Sequence, residues 1–70
     1  MYQRIRNLRE DNDLKQRQLA EHLNCSQRVY SNYELGQRDI PTDILIKLSN
    51  FYNVSVDYLL GLTNNPKRNK

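Results

Sequence analysis

Gln16–Gly36, QRQLAEHLNCSQRVYSNYELG, decides how this chain folds. The stretch reads as two short helices joined by a tight turn. In the first, about Gln16 to Leu23, the residues Leu19, Ala20 and Leu23 share one face at i, i+1 and i+4 spacing. The small Ala20 on that face lets a neighbouring helix cross closely. Asn24 follows, one of the few residues besides glycine that accepts the left-handed backbone at which helices end. Ser26 then suits the N-cap of a second helix, because its hydroxyl accepts a backbone N–H from the first turn. That helix runs to about Leu35, and Gly36 stands where a left-handed C-cap belongs. Val29, Tyr30 and Tyr33 occupy one side of it, while Gln27, Arg28, Ser31 and Asn32 lie near its N-terminal end and face away from them. Polar residues on a helix usually form only a solvated face. A short helix that leads with Gln, Arg and Asn is also chemically suited to reading base edges in a DNA major groove.

Outward from this motif the helical pattern continues. A first helix is expected over about Tyr2 to Asn12, with Ile5 and Leu8 buried and Arg4, Arg6 and Glu10 solvated. Asp13 and Leu14 form the connection, Leu14 plugging the core. Gln37 to Ile40 reads as a loop, and Pro41, Thr42 and Asp43 open a fourth helix with Thr42 or Pro41 at its cap. Leu45, Leu48, Phe51 and Tyr52 recur there at helical spacing and are expected to fill the core. Asn53 and Val54 make a turn, Ser55 caps a last short helix bearing Val56, Leu59 and Leu60, and Gly61 ends it. No strand pattern or repeat competes. The expectation is an all-α, compact five-helix domain over residues 1–62, its motif at about 16–36. A polar, disordered basic tail follows over 63–70.

The formal net charge is +3, but its distribution matters more than its sign. Lys67, Arg68 and Lys70 supply the whole excess, whereas residues 1–60 hold eight basic and eight acidic side chains. Charge composition is therefore poor evidence for nucleic-acid binding. Local placement is better: Lys15, Arg17, Arg28 and Arg38 bracket the two-helix motif, and most acids lie elsewhere. Seventy residues allow one domain with a small core, and leave no room for a separate ligand-sensing domain. A single cysteine forbids an internal disulfide and fits a reducing cytoplasm. No apolar run reaches membrane-spanning length, and Met1 to Asp13 is too charged for a secretory signal.

The motif resembles the helix-turn-helix of the Cro and phage-repressor family, the xenobiotic-response-element (XRE) type. The likeness runs through S31-N32-Y33-E34-L35-G36-Q37-R38 with Pro41, and through I44 to G61, so it covers roughly Ile5 to Gly61. Asn24 in place of a common glycine and Cys25 in place of an aliphatic residue are its departures. The resemblance implies a transcription regulator, a repressor by preference, that inserts the helix 27–34 into the major groove. Gln27, Arg28, Ser31 and Asn32 would read bases. Gln16, Arg17, Ser26, Gln37 and Arg38 would hold the sugar-phosphate backbone. It also implies that Arg9 and Glu34 form a structural ion pair tying the first helix to the recognition helix. On that reading Glu34→Ala weakens DNA binding only through folding. A homodimer is implied, with Tyr58 and Leu62 as candidate contacts, on a palindromic double-stranded operator. A toxin or an anti-repressor is the further protein partner such small members suggest.

The remaining features have bland readings. Tyr30, Tyr33, Tyr52 and Tyr58 could stack on single-stranded bases, but their spacing with Leu and Val favours packing with hydroxyls reaching the surface. His22 lacks a second ligand at metal-binding spacing, and no cofactor is implied. Cys25 at the turn is expected to be buried rather than redox-sensing. No nucleophile–base spacing or phosphate-cradling glycine loop points to an enzyme.

Overall fold

Three of the helices begin at an identifiable side-chain hydrogen bond. The computed structural model describes residues 2–67. Among these the order is α1 Gln3–Asp11, α2 Gln16–His22, α3 Gln27–Leu35, α4 Thr42–Tyr52 and α5 Val56–Leu59, without a strand. None of these helices is long and apolar enough to cross a membrane. At the start of α2 the Gln18 side chain reaches back and accepts the Lys15 backbone N–H at 2.7 Å. The hydroxyls of Ser26 and Ser55 cap α3 and α5, accepting from Val29 N at 3.1 Å and Tyr58 N at 3.0 Å. Pro41 precedes α4 without a side-chain capping bond.

The turns between helices use left-handed residues. Asp13, Asn24 and Asn53 have φ of 55°, 58° and 56°, and Gly36 ends α3 at 76°. Asn and Asp reach this region because their short polar side chains tolerate it better than others. Past Asn24, the Cys25 N–H returns to Ala20 O at 2.9 Å; past Gly36, the Gln37 N–H returns to Asn32 O at 3.0 Å. These bonds satisfy carbonyls that a helix end otherwise leaves unpaired.

Ile5, Leu19, Ala20, Leu23, Tyr30, Tyr33, Ile44, Leu48, Val54 and Leu59 form the buried core, with Leu8, Leu14, Val29, Tyr52 and Tyr58 partly buried around it. In α4 the inward row differs from the expected one. Ile44 and Leu48 point inward with Tyr52 half-buried behind them, Leu45 is half-buried, and Phe51 is 39% exposed. The run Ile44–Leu45–Ile46 offers three consecutive apolar starts, and periodicity alone does not choose among them. Phe51 instead packs outside, its ring centroid 4.5 Å from that of His22. Ser49 is buried too, its hydroxyl donating to Val54 O and closing the α4–α5 turn.

The two ends of the domain meet through Arg4. Expected to be solvated, this side chain is half-buried: Nη1 donates to Thr63 O at 2.8 Å and Tyr58 O at 3.4 Å, and Nη2 to Asn64 Oδ1 at 3.2 Å. Its guanidinium also lies 4.2 Å over the Tyr58 ring. The Ser55 N–H donates to Pro66 O at 3.1 Å. Residues 63–66, the first part of the expected tail, are thereby joined to α1 and to the start of α5. Arg68 and Lys70 of that tail lie outside the described residues.

Candidate nucleic-acid interface

α2 and α3 pack directly against each other, and their N-terminal ends open onto the same side. Gln16 from α2 and Gln27, Arg28, Ser31 and Asn32 from α3 line one open concavity. Lys15, Gln16, Arg17 and Gln27 line the adjoining one. Gln27 and Arg28 are exposed, whereas Ser31 and Asn32 are half-buried lower on the same helix. This follows from the local fold: with Tyr30 and Tyr33 anchored in the core, the intervening positions of a 3.6-residue turn must face outward.

The other residues assigned to the sugar-phosphate backbone are placed differently. Ser26, Gln37 and Arg38 are exposed but line neither concavity. Ser26 already accepts the Val29 N–H, and its own hydroxyl proton remains available to an acceptor. Lys15, one of the basic residues that bracket the motif but not among the residues assigned to the sugar-phosphate backbone, stands beside Arg17 in the second concavity. The signal was its place directly before the first residue of α2.

Behind this surface lies a buried polar junction. Arg9 Nε donates to Glu34 Oε2 at 2.7 Å and Arg9 Nη2 to Glu34 Oε1 at 3.2 Å, a two-pronged pair. Arg9 Nη1 donates to Leu14 O at 2.9 Å, and Gln16 Nε2 donates to Glu34 Oε1 at 3.2 Å. The side chains of Arg9 and Glu34 are only 14% and 3% exposed. One carboxylate thus joins α1, the α1–α2 turn, α2 and α3.

Burial alone would lift the Glu34 carboxyl, but Arg9 first, then the neighbouring Tyr30 hydroxyl and Gln16, outweigh it and hold its pKa below the ordinary value. Bonding to Glu34 raises the Arg9 guanidinium against the opposing effect of burial. Burial first, and the Glu34 charge second, push the Tyr30 phenol strongly upward; Tyr52 is pushed up to about 12 mainly by burial. The anion of α3 is therefore turned inward and paired. Its outward face carries uncharged amides, a hydroxyl and a cation, which suits contact with a polyanion.

At the far end of the domain, Leu62 is 74% exposed, whereas Tyr58 is half-buried with Arg4 across its ring. Cys25 is half-buried and its thiol pKa is raised by desolvation.

A protein-family model described as helix-turn-helix matches residues 5–59. The chain is 46% identical over 67 residues to the HTH-type transcriptional regulator ImmR of Bacillus subtilis (strain 168), covering 96% of this chain and 53% of that protein. It is 44% identical over 64 residues to the uncharacterized HTH-type transcriptional regulator YobD of the same organism, covering 91% and 57%. The crystal structure of a transcriptional regulator from Listeria innocua superimposes with a TM-score of 0.80 at 31% identity, over 83% of this chain and 54% of that one. The chain spans about half the length of the curated relatives it matches.

Proposed function

The chain belongs to the helix-turn-helix family, and from that premise we propose that it is a sequence-specific, double-stranded-DNA-binding transcription regulator acting as a repressor. The observation that carries the reading is the joint surface of α2 and α3. Lys15, Gln16, Arg17, Gln27, Arg28, Ser31 and Asn32 line adjoining concavities there, while the carboxylate of α3 is paired on the inside. α3 enters the major groove. Gln27 and Asn32 offer the paired donor and acceptor that match adenine, and Arg28 the fork that matches guanine. Lys15, Gln16 and Arg17 meet one flanking phosphate run, and Ser26, Gln37 and Arg38 meet phosphates at the two ends of α3.

The regulator acts as a homodimer on a palindromic operator, its two α3 helices addressing half-sites roughly 34 Å apart. Leu62 supports this reading as an exposed apolar side chain just after α5. A partner protein, a toxin or anti-repressor, is the further class of ligand this arrangement suits.

The deciding experiment is selection from a randomised duplex library at about 150 mM salt, with wild type and Arg28→Ala in parallel. Wild type enriches a palindromic consensus. The variant relaxes one base pair of each half-site by about 1–3 kcal/mol. No enrichment by either protein, together with a co-purifying protein partner, would replace this reading with a protein-interaction role.

A further inference from the structure

Glu34 touches the proposed interface through one bond that the ion pair does not need. Its Oε1 accepts Arg9 Nη2 and also Gln16 Nε2, each at 3.2 Å, and Gln16 lines both concavities. A carboxylate only accepts hydrogen bonds, so it fixes which end of the Gln16 amide faces inward. One N–H points to Glu34; the second N–H and the carbonyl oxygen are left on the outer edge. Gln16 is half-buried and opens α2, so its backbone is already held by the helix. Every rotatable element of its side chain is thus restrained at one end or the other.

We infer that Glu34 is a positioning residue for DNA binding: through Gln16 it presets a donor–acceptor edge in the concavity beside Gln27, Arg28, Ser31 and Asn32. This rests on the DNA-binding reading above. It goes further than the structural ion pair, whose loss would reduce binding only by unfolding the protein. A preset amide enters the complex without losing side-chain freedom, and a carboxylate, which only accepts, is not satisfied by the flipped amide.

The consequence of replacing the carboxylate by an amide is directional. In Glu34→Gln the new carbonyl oxygen keeps the shorter bond from Arg9 Nε, and the new NH2 group stands where Oε1 accepted both Arg9 Nη2 and the NH2 group of Gln16. Two donors repel, so the Gln16 amide turns over and presents the opposite edge outward. In the folded variant the outer edge is thus reversed.

The test is a double-mutant cycle on DNA affinity with Glu34→Gln, Gln16→Met and the combined variant. It uses the duplex that wild type selects from the randomised library, at a temperature where circular dichroism shows all four proteins folded. Gln16→Met loses about five-fold in affinity and Glu34→Gln about three-fold, the range of one hydrogen bond. In the Gln16→Met background, Glu34→Gln has no further effect. Multiplicative losses in the combined variant would overturn the positioning role while leaving the DNA-binding reading intact. If wild type binds no duplex, both readings fall together. Should Glu34→Gln not fold, side-chain 15N relaxation on wild type decides. The Gln16 amide is then more ordered than the exposed amides of Gln27 and Gln37, and equal mobility of the three overturns the inference.

Discussion

Arg9 and Arg4 lie five residues apart on α1 and use the same guanidinium in opposite ways. Arg9 faces a carboxylate that is 3% exposed and forms a charged junction between three helices. Arg4 faces neutral groups, two backbone carbonyls, an amide oxygen and the face of Tyr58, and fastens the chain after α5 to the beginning of the domain. The difference lies in what each partner becomes when its arginine is lost. A buried carboxylate left alone has nowhere to send its charge. Carbonyls near the surface turn to water at little cost. One helix therefore carries a high-stakes contact and a forgiving one, and the polarity of the partner separates them.

Glu34→Ala is expected to give the largest effect. It strands the Arg9 charge and costs about 3 kcal/mol, the lower end for a buried pair because Arg9 retains some exposure. In a domain of this size that lowers the melting temperature by more than about 12 °C, read by thermal circular dichroism. Retained wild-type melting would erase the contrast with Arg4.

Acid and alkali come next, and they sharpen the same contrast. The Glu34 pKa is depressed in the folded state, so its stabilisation is complete above the ordinary carboxylate range and is lost as pH falls through the folded value. Tyr30 and Tyr52 are raised, so their contribution is present below the ordinary tyrosine value of about 10 and declines above it. Urea midpoints against pH are thus expected to fall on both sides of neutrality. Glu34→Gln flattens the acid limb, whereas Arg4→Met leaves both limbs in place. An unchanged acid limb in Glu34→Gln would assign it to other carboxylates.

The smallest effect belongs to Arg4→Met, which keeps the aliphatic stem and removes the donors. A loss of about 1 kcal/mol is expected from the hydrogen bonds and the contact with Tyr58. The more telling readout is local: amide exchange at Ser55, whose N–H is bonded to Pro66, accelerates while that of α3 does not. Uniform acceleration would show that the clasp belongs to the global core instead.

Much of the fold is legible in the chain because its local signals agree. Ser26 and Ser55 at caps, Asn24 and Gly36 at left-handed turns, and Leu19 with Leu23 on one face all point to the same helices. α4 was legible as a helix but not in its rotation, since consecutive apolar residues leave the phase to tertiary packing. Asp13 turns left-handed although nothing around it marks the site as strongly as Asn24 is marked. Arg4 was unreadable for another reason. Its partners are mostly backbone atoms nearly sixty positions away, and a backbone carbonyl leaves no trace in the residue letters. On the candidate interface, the outward placement of Gln27 and Arg28 follows from spacing alone. The bond from Gln16 to Glu34 does not, because it depends on how α2 and α3 pack.

The three left-handed turns at Asp13, Asn24 and Asn53 have a consequence outside the folded molecule. Glycine would enter these turns with less strain, but it would also widen the range of shapes open to the denatured chain. A residue bearing a side chain narrows that range, by up to about 1 kcal/mol of conformational entropy at each position, set against the strain of its positive φ. The sequence contains only two glycines, so the connections between its helices are drawn from stiffer material. Part of what holds this small domain together is therefore the reduced freedom of the disordered chain it would otherwise become.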